Sequence, residues 1–305
     1  MRKLFFVLLA SSLLTFNGCD DGDIITVELD FDDTFQVCEG GDDLVFYKTK
    51  DDPSESLSLK LTNVSIGNIL DVDETGVYEK TYTISTTNPF NYRTYGNASL
   101  PSDLFCEVIP SSEVNITQDI ESTSGSAYLK TVLTEDDNDG IPAELEDLNG
   151  NGDYEDDDTD GDGIPNYIDA DDDGDNILTK NENPDPDGDE DLSDAQDTDG
   201  DGTPDYLDTD DDGDGVDTRD EENDSQDQNP ANDFSTSEIA DYLNKDIDTS
   251  VSATAYREHT ISQEYLVTLQ ISNFDLELIS LDVFDFGALD DSDTTDTRTV
   301  TPDFP

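Results

Sequence analysis

Between residues 135 and 222 the chain repeats a short acidic pattern, D-x-D-x-D-G. It reads Asp158-Asp160-Asp162-Gly163 and again Asp197-Asp199-Asp201-Gly202. Two more copies follow these, Asp169-Asp171-Asp173-Gly174 and Asp208-Asp210-Asp212-Gly213. Weaker copies precede them, Glu135-Asp137-Asp139-Gly140 and Asp147-Asn149-Asn151-Gly152, and Asp185-Asp187-Asp189 lacks the sixth-position glycine. The starts step by 11 or 12 residues, with a longer gap before Asp185. Side chains at positions 1, 3 and 5 converge on one centre when the chain curls sharply. Glycine at position 6 permits the curl, position 7 offers its carbonyl, and a carboxylate at position 12 closes the shell. Every such ligand is a hard oxygen, which suits Ca²⁺ with about six to eight oxygens around it. No nearby Cys or His points to zinc or copper.

Position 12 is Glu146, Asp158, Asp169 and Asp208 for the loops starting at 135, 147, 158 and 197. In the loops starting at 169 and 208 that place falls on Lys180 and Arg219. Their shells must close elsewhere, with Glu182 and either Asp220 or Glu221 as candidates. The predicted metal ligands are therefore Asp137, Asp139, Glu146, Asp147, Asn149, Asn151, Asp158, Asp160, Asp162, Asp169, Asp171, Asp173, Asp197, Asp199, Asp201, Asp208, Asp210 and Asp212.

An EF-hand needs a helix on each side of its loop. Here the twelfth residue of one loop is the first of the next, as at Asp158, Asp169 and Asp208, so no exiting helix fits. Pro142, Pro165 and Pro204 stand at position 8 instead. The tandem layout resembles thrombospondin type 3 repeats, with "DTDGDGIPNYID" and "DTDGDGTPDYLD" carrying the likeness. That resemblance implies a chain wrapped around a row of calcium ions with little apolar core. It covers under a third of the sequence.

Residues 135–233 hold 42 acidic side chains against two basic ones, Lys180 and Arg219. Such a tract is ordinarily disordered, but random acidic sequence does not keep its glycines in phase. Without metal the segment should be expanded, so that folding there is metal binding itself. Extracellular calcium modules bind with dissociation constants of roughly 10⁻⁴ to 10⁻³ M, and that range is expected here.

The flanking regions must supply the scaffold. Alternating, β-branched runs occur at "ITVELDF" from Ile25, "LVFYKT" from Leu44, "LSLKLTNVSI" from Leu57 and "VYEKTYTIS" from Val77. "EVNITQDI" from Glu113 and "SAYLKTVL" from Ser126 complete the set. Short strands at this spacing predict an antiparallel β-sandwich over residues 25–134. Tyr92 and Tyr95 in "NPFNYRTYG" are read as ordinary sandwich packing or as an exposed aromatic loop. Past the array, Ser235 with Glu238 three residues on gives a capping-box spacing, predicting one short helix. Strand patterns return at Val251, Glu264 and Leu278. Residues 234–305 either complete the N-terminal sandwich, making residues 135–233 an insertion, or form a second small β unit. The low chain-entropy cost of a long loop favours the first. The fold expected is mainly β: a sandwich with an inserted or following irregular, calcium-stabilised array.

The 305 residues carry 79 acids and 13 bases, a formal charge of −66. Nucleic-acid binding and attraction to an anionic bilayer are excluded, since both need Lys and Arg. Arg2 and Lys3 precede an apolar run from Leu4 to Leu14, then "TFNGC" ends at Cys19. The run is too short to span a bilayer, which takes about 20 apolar residues, and it reads as a signal peptide over residues 1–18. Gly18 before Cys19 resembles the lipobox of bacterial lipoproteins, although Phe16 and Asn17 depart from its pattern. The acidic tether over residues 19–24 resembles that of surface-exported Bacteroidota lipoproteins. The resemblance implies lipid on Cys19, contact with the membrane through that lipid only, and an outer-membrane, cell-surface location. Cys38 and Cys106 then remain as an even pair, expected as a disulfide in an exported chain.

Nothing indicates an enzyme. His259 is the only histidine, and no nucleophile elbow, zinc-protease or phosphate-loop motif occurs. The expected role is a calcium-binding surface lipoprotein, adhesive or presenting a ligand-binding module. The alternatives are an accessory lipoprotein whose sandwich binds a glycan or protein ligand, and an exported enzyme or folding helper acting through the β region.

Overall fold

The computed structural model describes residues 29–107, 112–235, 238–276 and 279–304. The signal peptide, Cys19 and the tether lie outside the described residues, as does most of the strand expected from Ile25. Ten strands form the scaffold. They are β1 (Thr34–Gly40), β2 (Asp43–Asp51), β3 (Ser54–Thr62), β4 (Val77–Thr83), β5 (Phe90–Tyr95), β6 (Ile116–Ser122), β7 (Ser126–Asp136), β8 (His259–Asp275), β9 (Ser280–Leu289) and β10 (Thr295–Val300). Their order is β4-β7-β8-β9-β1-β2-β3-β5-β6, with β10 also on β8. Neighbours are antiparallel except at the seam, where Thr34 and Phe35 run parallel to Ala288 and Leu289.

Alternation explains why these segments pair and how they close. Leu57, Leu59 and Leu61 on β3 point inward, as do Leu129 on β7 and Val267, Leu269 and Ile271 on β8. A sheet with one apolar face must cover it. Here the two halves fold over one core, with Phe90 of β5 5.1 Å from Phe274 of β8 and Phe35 of β1 5.4 Å from Phe286 of β9. The fold is mainly β, as the periodicity indicates. Tyr92 and Tyr95 are buried on β5, so they pack rather than form an exposed loop. Cys38 on β1 and Cys106 are joined in a disulfide.

Several elements differ from expectation. A one-turn helix, α1 (Ile66–Leu70), interrupts the run from Leu57. Ser65 caps it by accepting from Asn68 N–H, while the Asn68 side chain accepts from Ser65 N–H. The helix expected after Ser235 is a single 3-10 turn, Asp241–Leu243. Ser235 N–H and Oγ both donate to the Asp241 carboxylate, at 2.8 and 2.6 Å. Asp241 thus takes the role assigned to Glu238. Residues 251–258 form no strand, and β8 begins at His259.

β7 and β8 are antiparallel neighbours, and Asp136 faces Ser262 across them. Residues 137–258 therefore leave and return at one end of a strand pair.

Candidate metal centres

The acidic segment is a string of curled loops, each closed by its own backbone. The first carboxylate of a loop accepts the N–H five residues on. The pairs are Asp147 with Gly152, Asp158 with Gly163, Asp171 with Asn176, Asp185 with Glu190, Asp197 with Gly202 and Asp210 with Gly215, at 2.7 to 3.1 Å. The fifth side chain accepts from the seventh N–H, as in Asp162 with Ile164 and Asp175 with Ile177. Asp139 with Ile141 begins the series after β7.

These bonds set the register, and it differs from the sequence reading in two loops. Asp171, not Asp169, opens the fourth loop. Asp173 and Asp175 stand at positions 3 and 5, and Glu182 at position 12. Likewise Asp210, Asp212, Asp214 and Glu221 form the seventh. The cause lies in the backbone. Positions 4 and 6 both adopt left-handed φ, +69° at Gly174 and +73° at Asn176. Asparagine tolerates that region, so Gly174 marks position 4 while Asn176 holds position 6. Asp175 and Asp214 were missed for this reason. The signal that finds them is a glutamate eleven residues after Asp171 and Asp210.

In four loops a 3-10 turn occupies positions 9–11, and in the fourth loop it brings Glu182 at position 12 into the carboxylate group. These turns are Asn166–Ile168, Thr179–Asn181, Asp205–Leu207 and Thr218–Asp220. They replace the exiting helix of an EF-hand.

The carboxylates converge in groups whose ligand atoms lie within 4.8 Å of one another: Asp137, Asp139 and Glu146; Asp158, Asp160 and Asp162; Asp197, Asp199 and Asp201; Asp185, Asp187 and Asp194; and Asp173, Asp175, Glu182 and Asp211. Asp194 and Asp211 were not anticipated. Elsewhere the expected ligands do other work. Glu135 forms a two-point ion pair with Arg298 of β10. Asn149 and Asn151 turn their amides toward Asp156 and Asp157. Asp169 lies 2.6 Å from His259 Nδ1 and accepts from Asp171 N–H. Asp208 accepts from Asp210 N–H.

In the loops one carboxylate oxygen is used locally and the other is not. Asp137, Asp139, Asp160, Asp162, Asp173, Asp175, Asp212 and Asp214 each bury Oδ2 without a hydrogen-bond partner, and Glu182 and Glu221 bury both oxygens so. Buried carboxylates cost several kcal/mol each unless paired or coordinated. Burial, then the neighbouring carboxylates, push Asp137 and Glu146 up to about 9. The same causes push Glu221 to about 9 and Asp211 to about 11. Asp172, Asp173, Asp175 and Glu182 are held well above the ordinary carboxylate range for the same reasons. Burial disfavours the charged His259 ring, yet its hydrogen bond to Asp169 and the charges of Asp169, Asp171 and Asp162 hold its pKa above the ordinary value. The donor set fits a hard divalent cation: oxygens only, curled around a centre, with orphaned lone pairs aimed inward.

The loops are also stitched to the scaffold. Asn176 donates to Ala255 C=O and accepts from Arg257 N–H. Asp220 accepts from Val251 and Ala253 N–H. The return strand segment is thereby laid along the fourth and seventh loops.

Residues 136–195 match the family model described as BamM C-terminal. That stretch runs from the last residue of β7 through the loop that opens at Asp185, and the rest of the chain lies outside it. No curated protein and no solved structure matches the chain.

Proposed function

We propose that this protein is a calcium-binding exported lipoprotein of the outer membrane, anchored through Cys19, in which ions order an acidic arm carried on a β-sandwich. The role is structural or adhesive, with no catalysis. One observation carries the reading: the first, third, fourth and seventh loops bury carboxylate oxygens that have no hydrogen-bond partner, and in the first, third and fourth these carboxylates converge in one group. The likeness to thrombospondin type 3 repeats and the leader ending at Cys19 support it, and the BamM C-terminal match supports a place at the outer membrane. Asp137, Asp139 and Glu146 would hold one ion, Asp158, Asp160 and Asp162 another, and Asp173, Asp175 and Glu182 a third. A bidentate glutamate at position 12 favours Ca²⁺ over the smaller Mg²⁺.

Calorimetric titration of the mature chain with Ca²⁺ tests this. Several ions should bind, and Mg²⁺ at equal concentration should not displace them. No heat of binding up to millimolar calcium would defeat the proposal.

A further inference from the structure

Two buried aspartates belong to no site of their own loop. Asp172 and Asp211 stand at position 2 of the loops opened by Asp171 and Asp210, thirty-nine residues apart. They are 1% and 2% exposed, and all four of their carboxylate oxygens lack a hydrogen-bond partner. We infer that Asp211 is a cation ligand in trans, completing the site of the loop three places earlier in the array. This rests on the calcium reading.

A carboxylate oxygen of Asp211 converges with those of Asp173, Asp175 and Glu182, so this site holds four carboxylates from two loops. The fourth loop thus receives Asp211 from the seventh.

The backbone explains the outward aim. At position 2 the N–H donates to a hydroxyl at position 9, Asp172 to Thr179 at 3.1 Å and Asp211 to Thr218 at 3.3 Å. That bond pins the residue with its side chain away from its own loop centre. The other loops place no fully buried carboxylate there: Asp136, which is only half-buried, Leu148, Thr159, Pro186 and Thr198 occupy position 2. Neighbouring loops also touch. A Cβ on Gly174 would lie 2.2 Å from Asp160 Oδ2, and one on Gly213 2.4 Å from Asp199 Oδ2. An ion held by Asp173, Asp175, Glu182 and Asp211 would therefore tie the seventh loop to the fourth.

The test uses the mature chain with Asp211→Asn, Asp211→Glu and, as a charge control, the exposed Asp303→Asn. Calcium uptake is followed by calorimetry and local order by hydrogen exchange with mass spectrometry. D211N should weaken one site by about tenfold or more, since affinity follows ligand charge. It should also raise exchange over residues 171–182, far in sequence from the substitution. D211E should recover part of both, and D303N should change neither. If D211N loosens only residues 210–221, or leaves uptake unchanged, the trans ligand is refuted while the calcium reading stands. If the unsubstituted chain takes up no calcium, the reading and this inference fall together.

Discussion

Ending the chain after Glu258 removes β8, β9 and β10 while leaving every N-terminal strand intact. Those strands and the connection between β8 and β9 supply eight buried apolar side chains to the shared core, Val267, Leu269, Ile271, Phe274, Leu276, Ile279, Phe286 and Leu289. At about 2 kcal/mol for each buried side chain, the loss is roughly 16 kcal/mol. Whole domains are stable by only about 5–15 kcal/mol, so the shortened chain should not fold. Replacing residues 137–258 by a short turn is the opposite case. Asp136 and Ser262 already face each other, and a hairpin connection closes there without disturbing the core. Near-UV circular dichroism and thermal melts of the two chains distinguish the outcomes. The loop-deleted chain should melt cooperatively and the truncated one should show no transition. A cooperative melt from the truncated chain would refute the claim that the C-terminal strands are integral to the sandwich.

Gly174→Ala forces a side chain into left-handed backbone and against Asp160, so calcium binding at the third and fourth loops should weaken, while the sandwich melting transition stays put; titration and melts together check this. Reducing the Cys38–Cys106 bond opens a loop of 68 residues, which should cost roughly 4 kcal/mol by chain entropy; denaturant unfolding with and without reductant measures it. Calcium uptake by loops already folded should release protons near pH 7, because burial and neighbouring carboxylates hold Asp137, Glu146 and Glu221 at about 9 in the folded array without metal. Acids raised in this way bind more protons folded than unfolded, so the metal-free array is favoured at low pH. It loses stability as pH rises from about 4 through about 9. Calcium affinity should rise over that interval, and titrations in buffers of different ionisation enthalpy count the protons.

Much of this was legible in sequence because it is local. Period-two runs mark β2, β4, β7, β8 and β9, and alternating aspartates with phased glycines mark the loops. β1 and β5 were missed. Thr34–Gly40 is short and ends in polar residues, and Phe90–Tyr95 follows a proline, so that Tyr92 and Tyr95 read as sandwich packing or an aromatic loop without an alternating run to mark the strand. β10, "TDTRTV", has one apolar residue and is held chiefly by pairing with β8. The register of the fourth and seventh loops was misjudged because two positions per loop need left-handed backbone and only one was taken to hold glycine. Asp211 could not be assigned locally at all. Its neighbours Asp173, Asp175 and Glu182 lie in another loop that the fold, not the sequence, brings near. Whether the last strands joined the first was open for the same reason: strand pairing across residues 137–258 leaves no trace in either strand's pattern.

The central claim is that cations, rather than apolar packing, order residues 137–258. Hydrogen exchange of the mature chain in millimolar calcium and in excess chelator tests it most directly. The account predicts slow exchange through the loops in calcium, rapid exchange there in chelator, and unchanged protection in β2, β3, β7 and β8. Equal protection of the loops in both conditions would contradict it.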